Sequence, residues 1–388
     1  LIKMYKYIVL GSGKQGTAIA YDLARFGNSS SIVLADSDVN VAKQSSDRVN
    51  SLLEEELTTY LELDIYDKEA IFKALDVADV MISAVPYFHN LYLTDIAIQS
   101  GTSMIDLGGH TDNVRKQLSK HNQALEKNVT ILPDCGMGPG MNVTLGLLAM
   151  EQLDSPKHLR VWDGGLPLNP NPPWNYSLFF NINGLTNEYD GEAYFLKDSK
   201  IDRVPCFEGL EKLKFDSLGT LEAAVTSGGL STMPWTYEGK LITLENKTLR
   251  YPGHWDKMIA YRQLGLFEEK EIQFKNQNFS PRSFYHHLLE PQLAKNDSED
   301  ICIMRTEAQG VKDGVDKVVV VESIERYDDK TKFKAMEKWT GWHASILAIE
   351  AAKGTLPKGA VSIENAMSGQ DFLKEAEKRN FKISIKIS

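Results

Sequence analysis

The chain has 388 residues, 42% of them hydrophobic, enough to bury the cores of two domains or three. Its formal net charge is −10 with no basic stripe, which argues against nucleic acid or an anionic membrane surface as a partner. No apolar run reaches the ~20 residues of a membrane-spanning helix, and Cys135, Cys206 and Cys302 stand too far apart for a CxxC pair or a disulfide framework.

The first third alternates between two periodicities. Tyr7–Leu10 is a short apolar run that ends in glycine, and residues 14–26 carry helical spacing, with Ala18, Ile19, Leu23 and Phe26 on one face. "SIVLAD" (31–36) predicts a second buried strand, 39–56 a polar helix, and "YLELD" (60–64) a third strand. "KEAIFKAL" predicts a helix, "ADVMISAV" (78–85) a strand, and "NLYLTDIAIQSG" a helix closed by Gly101. "SMIDLGG" (103–109) and "VTILPD" (129–134) bring the strand candidates to six, with a helix at 113–127 between them. Alternation at this pace predicts a parallel sheet covered on both faces, and six strands is the count of the Rossmann-type doubly wound dinucleotide fold.

Within that frame the stretch "GSGKQG" (11–16) has a specific meaning. It follows an apolar strand and opens an amphipathic helix. Gly11 permits a tight turn, Gly13 removes a side chain where a pyrophosphate approaches, and Gly16 lets the helix pack close to the strand. With Ser12, Lys14 and Gln15 these residues form the expected phosphate cradle, at a helix N-terminus that offers free N–H groups and partial positive charge. Asp36 ends the second strand 20 residues after Gly16. A carboxylate there accepts hydrogen bonds from the adenosine ribose and repels a 2′-phosphate. Asp38 adds to the repulsion and no arginine follows closely, so the expected cofactor is NAD rather than NADP. The plainer reading of Asp36 is a solvated strand end. Asp64 and Ile65 end the third strand, where the adenine edge would lie, although an aspartate there also serves as a helix cap. Ser83, Ala84, Val85 and Pro86 end the fourth strand, and their small side chains would let the nicotinamide half lie flat.

After "PDCGMGPGMNVTLGLLAMEQL" (133–153), in which Gly138-Pro139-Gly140 starts a helix, the texture changes. "LRVWDGGLPLNPNPPWNYSLFFNINGL" is rich in proline, asparagine and aromatics. Strand candidates follow at 241–251, 268–274, 300–310, 317–327 and 333–341, with Asp328-Asp329-Lys330 as a hairpin signal and a helix at 280–293. This predicts an α+β domain on a mostly antiparallel sheet. At 341–352 the pattern turns helical again. The division expected is residues 1–140 plus 340–388 for the nucleotide-binding domain and 141–339 for an inserted substrate and oligomerisation domain, with the active site in the cleft.

The series "GSGKQG", "SAVPYFHN", "DLGGH", "PDCGMGPGMN", "TSGGLST", "TLRYPGH" and "WTGWHASI" resembles the saccharopine dehydrogenase-like family nearly end to end. The resemblance implies a homo-oligomer, most simply a dimer, and pyridine-nucleotide oxidation at a carbon–nitrogen bond of lysine or a lysine-derived amine. Saccharopine reductases of the family carry an aspartate in a "GLDPG" stretch, where this chain has Gly138 in "GMGPG". That departure leans toward the lysine 6-dehydrogenase branch, which oxidises the ε-amine to the 6-semialdehyde. A saccharopine or carboxynorspermidine dehydrogenase is the second enzyme reading. A non-catalytic NAD-sensing protein, with the same glycines and Asp36, is the alternative from another class.

A lysine ammonium has an ordinary pKa near 10.4, so a base must remove its proton before hydride leaves the carbon. His110, after the fifth strand in "DLGGH", is the first candidate, with helix capping as its plainer role. Asp106 and Asp134 are rivals, and Asp106 lies within a strand where it would orient a neighbour. Tyr87 and His89 follow the fourth strand and would line the same pocket. For the α-carboxylate of an amino-acid substrate, Arg250 is the expected anchor, assisted by His254, Thr226 and Ser227, unless Arg250 only pairs with a surface acid. The adjacent His286 and His287 point apart on a helix and suit no metal, so no metal site is expected. A cytoplasmic location is expected from the cysteines and from the absence of a signal-peptide pattern.

Overall fold

A computed structural model describes residues 3–294 and 299–388. The first lobe is built from β1 (Tyr5–Leu10), α1 (Lys14–Phe26), β2 (Ser29–Asp36), α2 (Val39–Leu53), β3 (Thr58–Glu62), α3 (Lys68–Leu75), β4 (Val80–Ser83), α4 (Asn90–Ser100), β5 (Ser103–Asp106), α5 (Thr111–Leu118), α6 (His121–Glu126) and β6 (Thr130–Leu132). The strands are parallel and run in the order β6-β5-β4-β1-β2-β3, so the order reverses between β1 and β4. That reversal opens a crevice at the carboxyl ends of the strands, which is where such sheets bind ligands. The single helix expected at 113–127 is two helices, α5 and α6, interrupted at Ser119 and Lys120.

The chain then passes through α7 (Met141–Met150) into β7 (Ser155–Pro167), α8 (Ile182–Tyr189), β8 (Glu192–Lys197), β9 (Lys200–Pro205), β10 (Glu211–Phe215), β11 (Gly219–Val225), α9 (Met233–Tyr237), β12 (Thr243–Arg250) and α10 (His254–Gln263). A small hairpin, β13 (Ile272–Phe274) with β14 (Gln277–Phe279), precedes α11 (Pro281–Ala294), β15 (Asp300–Lys312) and β16 (Val315–Arg326). These strands form a mixed sheet along β10-β11-β12-β7-β15-β16, antiparallel except where β12 runs parallel to β7. The Rossmann-like lobe with a second, mixed-sheet lobe is the architecture the alternation predicts. The long central strand β7 overlaps the start of the proline- and asparagine-rich stretch, where no strand is expected. Its Gly164 faces Leu249 so closely that a Cβ would come within 2.5 Å of the Leu249 carbonyl oxygen.

Three expectations for this region fail. Of 268–274 only Ile272–Phe274 is a strand, paired with β14 away from the main sheet. Asp328 is not in a hairpin turn; its Oδ1 accepts from the N–H groups of Lys330 and Thr331 and leads the chain out of β16. Residues 333–341 are not a strand, because α12 (Ala335–Lys353) starts there. The cause lies far off in sequence: the buried Asp300 carboxylate accepts from the N–H groups of Ala335 at 2.6 Å and Met336 at 2.9 Å, capping the first turn.

α12 is buried almost all round and packs on α1, where a Cβ on Gly341 would lie 2.8 Å from Ala18 Cβ. After α12, β17 (Gly359–Ala360) extends the parallel sheet beside β6, giving seven strands, and α13 (Gly369–Lys378) packs on α7. A buried ion pair, Arg379 with Asp22 of α1 at 2.8 Å, ties the end of α13 to the first lobe. The last strand, β18 (Ile383–Ile387), pairs with β16, so the C-terminal segment ends in the second sheet rather than in the first lobe.

Candidate active site

Gly11 has φ +91°, and a Cβ there would sit 2.7 Å from the Ala84 carbonyl oxygen. A Cβ on Gly16 would sit 2.0 Å from the Gly11 carbonyl oxygen. Only glycine fits either place. Gly13 precedes α1 without a side-chain cap, and nothing lies within 4 Å of where its Cβ would point. The Ser12 Oγ and Gln15 Oε1 atoms are buried with no protein hydrogen bond among the described residues. An open helix N-terminus beside unpaired buried polar atoms is what a diphosphate requires. Lys14 begins α1 and is exposed.

Asp36 Oδ2 accepts from the Ser12 N–H at 2.9 Å, and Oδ1 from the Asp38 N–H at 3.1 Å, so the carboxylate is fixed at the end of β2. Gly11, Gly13, Asp36, Asp64 and Ile65 line one cavity of about 370 Å³ with Ala84, Val85, Pro86, Tyr66 and His89. Among the described residues the cavity wall holds two carboxylates and neither lysine nor arginine. Asp64 also accepts from the Tyr66 N–H at 2.9 Å, which shapes the loop. Ser83 departs from expectation: it is fully buried, and its hydroxyl donates to Asn90 Oδ1 at 2.7 Å instead of facing the cavity.

Past β4 and β5 the structure brings Tyr87 and His110 together as stacked rings. His110 is exposed, precedes α5, and makes no capping hydrogen bond with its side chain. Asp106 has no face on the cleft. It is fully buried, accepting from the Gly108 N–H at 2.8 Å, the Asp134 N–H at 3.3 Å and Gln117 Nε2 at 2.7 Å. Burial pushes its carboxyl up to about 6, and these bonds pull the other way. Its contacts make it a holder of the "DLGGH" loop, not a group that meets substrate. Asp134, also buried, accepts from the Gly109 N–H at 3.3 Å. Burial, reinforced by the Asp106 charge, pushes it up to about 7.

Among the expected substrate residues, Arg250 ends β12 in the second lobe. It is 3% exposed and pairs at 3.3 Å with Glu188 of α8, not with a surface acid. His254 lies behind it: its Nε2 meets Tyr189 Oη at 2.9 Å, and that hydroxyl accepts from Arg250 Nε at 2.9 Å. Burial and the Arg250 charge hold His254 well below the usual histidine range, so it is neutral. Thr226 and Ser227 are occupied within the lobe, by Thr248 Oγ1 at 2.6 Å and the Asn187 carbonyl oxygen at 2.6 Å.

Two acids escape sequence reasoning. Asp163 of β7 is buried, accepts from Asn246 Nδ2 at 2.6 Å, and is pushed up to about 6 by burial. Its Oδ2 lies 2.4 Å from where a Cβ on Gly138 would sit, so it fills the space a side chain at 138 would take. Glu188 is pushed up to about 7, by burial against the opposing pull of Arg250. Glu188 is the one acid within α8 (Ile182–Tyr189), and that is the only trace of this in the sequence. Among the described residues no three His, Cys, Asp or Glu side chains are grouped to hold a metal, and no helix is long and apolar enough to cross a membrane.

The glycine-lined crevice of a doubly wound sheet, closed over by a mixed-sheet lobe, defines a dinucleotide-binding protein of two lobes. Residues 7–132 match the saccharopine dehydrogenase NADP binding domain and residues 136–381 the saccharopine dehydrogenase C-terminal domain. The chain belongs to the saccharopine dehydrogenase family. It is 20% identical over 295 residues to the saccharopine dehydrogenase (NADP(+), L-glutamate-forming) of Schizosaccharomyces pombe, covering 73% of this chain and 62% of that protein. With the Saccharomyces cerevisiae protein of the same description it shares 22% over 175 residues, 44% of this chain and 39% of the other. The chain thus spans less than two thirds of the length of either relative. The solved structure of apo saccharopine dehydrogenase (L-Glu forming) from Saccharomyces cerevisiae superposes with a TM-score of 0.78 at 16% identity, over 99% of this chain and 100% of that one, a likeness of fold.

Proposed function

We propose that the chain is an NAD-dependent oxidoreductase of an amino-acid C–N bond, acting on the ε-amine of L-lysine to release the 6-semialdehyde. The observation that carries the reading is the cavity at the strand ends. It joins the open N-terminus of α1 to the fixed Asp36 carboxylate and holds no cation. The residues present fit a dinucleotide: Gly13, Ser12 and Gln15 would face the diphosphate, and Asp36 the ribose. The matching family description names NADP, but a 2′-phosphate here would meet Asp36, with Asp38 close by, and no compensating arginine or lysine in the wall. When bound, the nicotinamide would supply the hydride acceptor.

The protein's own groups would do the rest. Arg250 would hold the substrate carboxylate. His110, exposed at the mouth and steadied by Tyr87, would take the ammonium proton. The glutamate-forming saccharopine reaction is the second reading, supported by the names of the two yeast relatives. Absorbance at the NADH band, followed with NAD or NADP and with lysine, ornithine, saccharopine or carboxynorspermidine, tests the proposal. NADH formation is expected with lysine and NAD. Turnover of saccharopine alone would replace the reading with the second one, and none with any amine would leave a cofactor-binding protein.

A further inference from the structure

Asp163 and Glu188 stand near each other in the second lobe, and Arg250 acts on both. Burial pushes both carboxyls above the usual range and the Arg250 charge pulls the other way. With Asp163 and Glu188 ionised, two negative charges stand against one positive, leaving one in excess.

Arg250 is already largely engaged. Its Nε donates to Tyr189 Oη at 2.9 Å and Nη1 to the Leu249 carbonyl oxygen at 3.0 Å, while its plane lies 4.8 Å from the Tyr176 ring centre. The remaining contact, Nη2 to Glu188 Oε2, is long at 3.3 Å against the roughly 2.7–2.9 Å of a strong charge-assisted bond. Glu188 is also the accessible partner, with a side chain 29% exposed against 3% for Arg250. Its Oε1 has no protein hydrogen bond among the described residues. The neighbouring Asn187 Nδ2 lies 3.5 Å from Tyr87 Oη across the gap, so this turn of α8 faces the first lobe beside His110.

We propose that Glu188 sets the specificity of the cleft: it receives the α-ammonium of an amino-acid substrate whose α-carboxylate lies on Arg250, and so selects net-positive substrates over those with extra carboxylates. A carboxylate loosely held by its guanidinium keeps the capacity for a second cation. An amino-acid head brings one charge of each sign and completes a four-charge square. A further ammonium at the other end of the ligand then offsets the excess negative charge, whereas a second carboxylate-bearing arm finds no cation of its own. The assignment rests on the amine-oxidation reading for the chemistry at the far end of the ligand, and on the cleft's own geometry for the head.

Calorimetric binding to the NAD-loaded protein separates the two. Wild type is expected to bind L-lysine at least about tenfold more tightly than 6-aminohexanoate, which lacks the α-amine, and more tightly than saccharopine. Glu188→Gln is expected to lose at least about tenfold for lysine while changing 6-aminohexanoate by about twofold or less, and Glu188→Asp to recover part of the loss. NAD binding by each variant reports that it is folded. Equal losses for both ligands, no preference by wild type, tighter binding of saccharopine, or no binding of any of these would overturn the assignment. Lysine binding with this pattern but without NADH formation would remove the amine-oxidation reading and leave the assignment of Glu188 standing.

Discussion

The His110 imidazole lies flat against the Tyr87 ring, 5.2 Å between centroids with 8° between the planes. The two residues come from the ends of neighbouring strands, β5 and β4, so the stack joins two loops at the crevice. Face contact fixes the plane of the imidazole and leaves its nitrogen-bearing edge free, which is the geometry a proton acceptor needs.

If His110 is the base, His110→Ala lowers turnover at least about a hundredfold. Tyr87→Phe keeps the stack and loses only a 3.5 Å contact to Asn187, so it should retain most activity. NADH formation across pH measures both, and an active His110→Ala enzyme would move the role elsewhere.

Asp36→Ser should weaken NAD and improve NADP relative to it. The change removes the charge that would face the ribose and the acceptor of the Ser12 N–H. Fluorescence titration with the two reduced cofactors gives the ratio. An unchanged ratio contradicts the assignment of Asp36 to the ribose.

Asp134 supplies a pH signature. Its folded carboxyl is raised to about 7 from its ordinary 3.8 by burial, so between these pH values the folded state holds a proton that the unfolded state has released. Its stabilising contribution is therefore complete below about pH 4 and lost as pH rises through about 7. Asp134→Asn keeps an oxygen for the Gly109 N–H and tolerates the φ of +62°. Thermal melts should show the variant gaining on wild type between pH 5 and pH 8. Parallel curves would rule the effect out.

Asp300→Ala should cost about 2–3 kcal/mol, because it strands two N–H groups at the buried start of α12. Urea unfolding measures it. Since α12 packs on α1, whose N-terminus forms the phosphate cradle, NAD affinity should weaken in the same variant.

The parallel lobe was legible because its signals are local. Buried strands read as short apolar runs, their helices as amphipathic segments, and Gly11 and Gly16 mark backbone that cannot carry a side chain. Asp36 was readable for the same reason, as the residue that ends a strand at a known offset. The start of α12 was not. A helix buried all round has no polar face to set a period, and its cap comes from Asp300, 35 residues earlier. β7 was hidden too, since its strand character comes from β12 and β15 on either side.

By itself, then, the sequence determined the parallel lobe, the nucleotide crevice and the family to which the chain belongs, because each depends on spacings within a few tens of residues. Tertiary structure alone decided that His254 stands behind Arg250 and that Glu188 meets Arg250 from a helix 62 residues away. Charge and burial act through space, and no period along the chain records which side chains the fold will bring face to face.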